Sequence, residues 1–519
     1  MSWAEEVALQ IIKERPNEEV YTVASGVSPS GFVHIGNFRE IATPYLVVKE
    51  LKKLGKNARY ILSFDDFDRF RKVPGNIDPS YEKYIGLPYT DIPSPYTENE
   101  SYAEFMEKKF MQELKEMDVE VEYIFQTKEY QSGRYNQYIK KALDNKDKIF
   151  DIIDGFRTQD AVPGEKESYY PISIYCKNCK KDYTKVISYD QESGIIEYEC
   201  SCGCREKISI DSATNVKLQW KVDWPMRWMV EKVTFETGGK DHSADNGSKA
   251  VSEKVVREIY GYEPPIYMPY NFIGIKGGSS KMSSSAGNVL TLTDLLKVYD
   301  KNIIWWFYAK YRPMTEFDIA LDNDVIRYYS EFDRWVKMYF DGTIDEKNKS
   351  IIESTGVKEE YLRNPSFSYM ATFLPIVNND ISLLKILLSK ENIDCDNLYF
   401  DKRLEFAKHW VETYGEDYQV KLLEDKNEEY YNALSEQEKE WIEATIKLLE
   451  NNFDTSDELQ TELYAVVKDG VLADKELKDA QKRYFQILYH LLLGKDKGPK
   501  LGLFLMAIDK VRITKLLKF

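Results

Sequence analysis

From Val20 to about residue 150, runs that read as strands alternate with runs that read as helices. VYTVASGV is β-prone and leads into the turn-rich SPSG, and a helical pattern then continues to Leu54. NARYILSFDDFD, after Gly55, and VEVEYIFQT read as further strands, and SYAEFMEKKFMQELKEMD and SGRYNQYIKKALDNK as helices. Such alternation predicts a Rossmann-like, doubly wound parallel sheet, which binds ligands where its strand order reverses.

The pattern breaks over 151–215 into short polar strands and a cysteine cluster, read as an insertion, and resumes over 216–300. Residues 1–150 and 216–300 are thus expected to form the two halves of one α/β domain. A linker over 301–340 and an all-helical domain over 341–519 complete the expected organisation of this 519-residue chain. The terminal stretch GKDKGPKLGLFLMAIDKVRITKLLKF is locally basic, which fits phosphate contacts and equally an ordinary packed helix.

Five of the six cysteines lie between Cys176 and Cys204. Cys176 and Cys179 form a C-x-x-C pair, followed after 180–199 by Cys200, Cys202 and Cys204, which is zinc-ribbon spacing for a structural Zn²⁺ in four thiolates. Cys176, Cys179, Cys200 and Cys202 are the preferred set, with Cys204 the alternative. Clustered cysteines, an acidic N-terminal start and the lack of an apolar run of about 18–20 residues predict a cytoplasmic chain that crosses no membrane. A formal net charge of −16 argues against indiscriminate polyanion binding and leaves room for a local basic face.

Two loops carry chemistry. Pro29-Ser30-Gly31-Phe32-Val33-His34-Ile35-Gly36-Asn37 places His34 and Asn37 where a loop becomes a helix, a position that attracts phosphate, and Gly36 leaves room for a base or ribose. Lys281-Met282-Ser283-Ser284-Ser285 lies among Gly277, Gly278 and Gly287, which suits a loop closing over a triphosphate. The first resembles the HIGH signature of class I aminoacyl-tRNA synthetases, and the second their KMSKS signature with Ser284 in place of its second lysine. Both follow a strand, so they can meet at the carboxyl edge of one sheet.

The resemblance to class I lysyl-tRNA synthetases extends through YTVASGVSPSGFVHIGNFRE, ILSFDDFDRFRKVPGN, KLQWKVDWPMRW, GGKDHSADNGSKAVSEKVVREIYGYEPP and PYNFIGIKGG. It implies a lysine–tRNA ligase that takes ATP with Mg²⁺, lysine and tRNA(Lys), is expected to act as a monomer, and reads the anticodon with its helical part. It also implies that His34, Asn37 and Lys281 are catalytic, and that Pro29, Gly36, Met282, Ser283, Ser284 and Ser285 join them around ATP. Gly26, Ser28, Trp220, His242 and Tyr270 would surround lysine. Asp65, Asp66, Asp223 and Asp241 are candidates for its ammonium, and the residues do not choose among them. A glutamate-type class I synthetase and a non-catalytic tRNA-binding paralogue are the alternatives.

Overall fold

A computed structural model describes all residues except 158, 160, 245, 272, 278–289, 378, 391, 392, 420, 421, 468–473 and 499. The chain divides into two compact units. One comprises Met1–Leu295, Ile304–Ile319 and Asp345–Gly356; the other comprises Leu296–Ile303, Ala320–Ile344 and Val357–Phe519.

The first unit is built on a parallel sheet of β1 (Tyr21–Val27), β2 (Ala58–Phe64), β3 (Glu122–Phe125), β4 (Val233–Gly239) and β5 (Ile266–Tyr270). Their order is β3-β2-β1-β4-β5, so the winding reverses between β1 and β4. β1 and β2 are buried at nearly every position, as expected for strands covered on both faces. Tyr21 lies opposite Ala58 and Val27 opposite Phe64, which brings the carboxyl ends of both strands to one edge. α1 (Trp3–Glu14) is capped by Ser2 and stops before Pro16; α2 (Ile35–Lys53) makes the crossover from β1 to β2. α3 (Tyr102–Glu116) precedes β3 and starts in a capping box, in which Ser101 and Glu104 each satisfy the other's backbone N–H.

The insertion has antiparallel sheets of its own. Ile172–Ile174 pairs with Val216–Leu218 at its base, and Thr184–Asp190, Ile195–Cys200 and Arg205–Ser209 form a three-stranded ribbon. The run IYMPYNFIGI, which reads as one strand, is two. β5 ends at Tyr270, and Ile273–Ile275 leaves the sheet to pair with Phe317–Ile319. At that departure the buried Arg39 guanidinium donates to the carbonyls of Asn271, Arg312 and Thr315, giving the exposed backbone its missing partners.

In the second unit, the regular elements among the described residues are helices, including Asp324–Phe340, Leu398–Thr413, Glu436–Leu449 and Asp474–Leu493. Its basic tail forms helices Leu501–Ala507 and Lys510–Leu517, which bury Leu501, Phe504, Ile513 and Leu516. The ammonium groups of Lys495 and Lys510 donate to the carbonyls of Gln419 and Asn451, and Lys500 pairs with Asp457. No described helix is long and apolar enough to cross a membrane.

Candidate active site and cysteine centre

His34 is the N-cap of α2, with extended backbone (φ −93°, ψ 165°), and its Nδ1 accepts the backbone N–H of Asn37 at 3.3 Å. The imidazole thus does what Ser or Asp usually does at a helix start. The other ring nitrogen, Nε2, takes no part in that cap. His34 and Pro29 are buried, whereas Asn37 is exposed at the helix mouth. Gly36 has a more local role than room for a ligand: a Cβ there would lie 3.0 Å from the His34 ring, so the glycine lets the imidazole fold back onto its own helix.

Lys281, Met282, Ser283, Ser284 and Ser285 lie outside the described residues. The chain that follows their loop is nevertheless tied to His34. Ile35 N–H donates to the Leu290 carbonyl at 2.9 Å, and His34 forms an antiparallel bridge with Thr291. Leu290 and Thr291, far from His34 in sequence, therefore meet it at the carboxyl edge of the sheet, beside the β1/β4 crevice.

The other side of that crevice is aromatic. Trp220, Trp224 and Trp228 recur every fourth residue on the helix Trp220–Glu231 and face one way. Trp220 stacks on Trp224 with centroids 5.1 Å apart and planes 13° apart, and Trp224 also meets His242 and Tyr267 edge-on, each at 6.4 Å. Gly26, Ser63, Trp220, Trp224, Arg227 and Glu236 line a narrow cavity of ≈ 40 Å³ between this helix and the sheet. Gly238 permits a further approach: a Cβ there would fall 2.2 Å from the Tyr267 hydroxyl.

Four aspartates were candidates for a cationic ligand, and three are already engaged. The buried Arg227 guanidinium binds Asp65 at 2.5 Å and Asp223 through two nitrogens, and Tyr130 donates to Asp223 at 2.5 Å. Asp66 accepts the Thr127 N–H at 2.7 Å, and burial raises its carboxyl to about 6. Asp241 is exposed on the short turn Lys240–His242.

Two glutamates not singled out from the sequence are placed differently. Burial holds the Glu40 carboxyl well above the usual range; Tyr270 and the Gly26 N–H donate to it, and Glu236 lies near enough to raise it further. Glu236 is buried, accepts Trp224 Nε1 at 3.0 Å and Trp228 Nε1, and is pushed up to about 7, mainly by burial. Neither forms an ion pair among the described residues. Their nearest sequence signal was the W-x3-W-x3-W spacing, which marks a face that must meet something; a lone Glu on a strand or helix does not reveal itself.

In the ribbon, the sulfurs of Cys176, Cys179, Cys200 and Cys202 all lie within 4.8 Å of one another. Cys176 to Cys202 and Cys179 to Cys200 are both 3.7 Å. A tetrahedral thiolate site with metal–sulfur bonds of about 2.3 Å has edges of about 3.8 Å, so these four sulfurs fit a metal ion. Lys180, just after the C-x-x-C pair, and Gly203 have positive φ (63° and 88°) and turn the backbone around the cluster. Cys204 stands outside the set of four.

Residues 1–358 match the family model described as tRNA synthetases class I (K). The chain belongs to this family. The synthetase is 36% identical to a protein named lysine–tRNA ligase from Pyrococcus furiosus, over 99% of each chain. It is also 36% identical to one of the same name from Treponema pallidum, over 100% of this chain and 98% of that one. Among solved structures, a glutamate tRNA ligase from Elizabethkingia meningosepticum covers 96% of this synthetase and 99% of its own chain, with TM-score 0.41 and 13% identity.

Proposed function

We propose that this chain is a lysine–tRNA ligase that activates lysine with Mg·ATP and transfers it to the 3′ end of tRNA(Lys). The observation that carries the reading is the pairing of His34 and Ile35 with Thr291 and Leu290, the residues just after the lysine loop, beside the crevice where the sheet reverses. In the first step the lysine carboxylate attacks the α-phosphate of ATP, lysyl-adenylate forms and pyrophosphate leaves. In the second, a hydroxyl of the terminal ribose attacks the lysyl carbonyl and AMP leaves. The protein orients the reactants and stabilises phosphate charge. His34, through Nε2, and Asn37 hold phosphates over the start of α2 beside Pro29 and Gly36. Lys281, with Met282, Ser283, Ser284 and Ser285, closes on the leaving pyrophosphate. Magnesium accompanies ATP and offsets phosphate charge.

Lysine lies across the β1/β4 crevice, near Gly26, Ser28, Trp220, His242 and Tyr270. We assign its ammonium to Glu40, because Asp65 and Asp223 already share Arg227, whereas Glu40 forms no ion pair among the described residues. Two adjacent carboxylates would repel a glutamate side chain, which argues against the glutamate alternative. The four-thiolate centre holds a structural Zn²⁺; four thiolates leave no open position for a reacting water.

The test is ATP–pyrophosphate exchange with each amino acid, with and without tRNA. Lysine should be preferred, and His34→Ala and Lys281→Ala should each slow exchange about 10²–10³-fold, the effect of losing one transition-state donor. Exchange with no amino acid under either condition would support the non-catalytic alternative.

A further inference from the structure

We propose that Glu236 is a specificity-determining positioning residue: by accepting the indole N–H groups of Trp224 and Trp228 together, it fixes the aromatic wall against which lysine is measured. The inference rests on the lysine reading above. Trp224 is the centre of that wall, because Trp220 stacks on it and both His242 and Tyr267 pack edge-on against it. Its ring has one polar atom, and that atom is bound to Glu236 at 3.0 Å. Trp228, one helical turn further on and buried, donates to the other carboxylate oxygen. The carboxylate on β4 thus clamps two successive turns of the tryptophan helix and sets the width of the cavity they share with Gly26 and Trp220.

Structure alone gives little reason for a charge here. Burying a carboxylate among indoles is costly and Glu40 close by adds like-charge repulsion, which the nearby Arg227 offsets only in part. Two N–H donors converging on one side chain do require two acceptor oxygens. Glutamine offers only one: its amide NH₂ would confront the second indole N–H, and one tryptophan would lose its partner. A carboxylate also places negative charge where the aliphatic ammonium of the substrate arrives, so the cost is offset when the site fills.

The experiment uses the full chain and tRNA-supported ATP–pyrophosphate exchange, with lysine and ornithine as the varied amino acids. Glu236→Gln should raise the KM for lysine about tenfold, leave the KM for ATP within about twofold, and shrink the preference for lysine over ornithine. Trp224→Phe keeps an aromatic ring, though a smaller one, and deletes the N–H; it should reproduce most of that effect and add less than about twofold on top of Glu236→Gln, since both changes break one interaction. An unchanged lysine KM in Glu236→Gln overturns the proposal, as does additivity of the two substitutions or an equal rise in both KM values. If Glu236→Gln does not fold, Trp224→Phe and Trp228→Phe decide, and an unchanged lysine KM in both overturns the proposal. Wild-type protein that activates lysine while the variants behave normally sinks this inference alone; wild-type protein that does not activate lysine sinks the lysine reading first.

Discussion

At the scale of the residue, the charges that folding leaves without an opposite partner have the clearest consequences. Glu107 on α3 is 5% exposed, one of its carboxylate oxygens has no hydrogen-bond partner, and burial with nearby Asp66 raises its carboxyl from 4.5 to about 8. A raised carboxyl favours folding most while protonated in both states, so its contribution is complete below 4.5 and is lost as pH rises toward about 8. Glu107→Gln removes that titration and should stabilise the protein by about 1–3 kcal/mol at about pH 8.5, with little change at about pH 4. Denaturant unfolding at the two pH values checks it; an equal effect at both would assign the difference to something other than ionisation. His34 was legible in the sequence because its neighbours form a motif. Glu40 and Glu236 were not, because the feature that matters is that neither forms an ion pair among the described residues, and that depends on Arg227 pairing with Asp65 and Asp223 instead.

Among the elements, the parallel sheet and the ribbon were the most legible, for different reasons. Parallel strands joined by helices permit few topologies, so the alternation already implied a doubly wound sheet, while the place of its reversal, between β1 and β4, came from the structure. Five clustered cysteines implied a metal ribbon with Cys176, Cys179, Cys200 and Cys202 preferred over Cys204, and the sulfur positions bring that preferred four together. Purified protein should therefore contain a single zinc ion per chain by elemental analysis. Cys176→Ser should lose the metal on dialysis and Cys204→Ser should keep it; retention by the first and loss by the second would reverse the assignment. The break of IYMPYNFIGI into two strands was not visible locally, because Arg39, which satisfies the carbonyls at the break, comes from α2.

Across the whole molecule, selectivity for the amino acid gives the most direct test. Charging of lysine tRNA should favour lysine over ornithine by about 10–200-fold, the worth of one methylene in a fitted slot, and should exclude arginine and glutamate more strongly. Parallel charging assays test this, and preferred charging of glutamate on its own tRNA would overturn the lysine assignment. The helical C-terminal part was legible as helical, but the basic tail was not legible as packed, because lysine stems and leucines share the same helical spacing. Nor did the sequence show that the chain leaves and re-enters its α/β unit. The helix Glu346–Thr355 returns to that unit, where Lys53 pairs with Glu353 at 2.6 Å and Lys49 donates to the Ser354 carbonyl. That path carries a temporal consequence. A ribosome makes residues 296–303 and 320–344, which belong to the other unit, before it makes the last piece of the first. The α/β unit therefore cannot finish folding as an early, separate event during synthesis, as an uninterrupted N-terminal domain would. Until residue 356 has emerged, the nascent chain carries two unfinished units together.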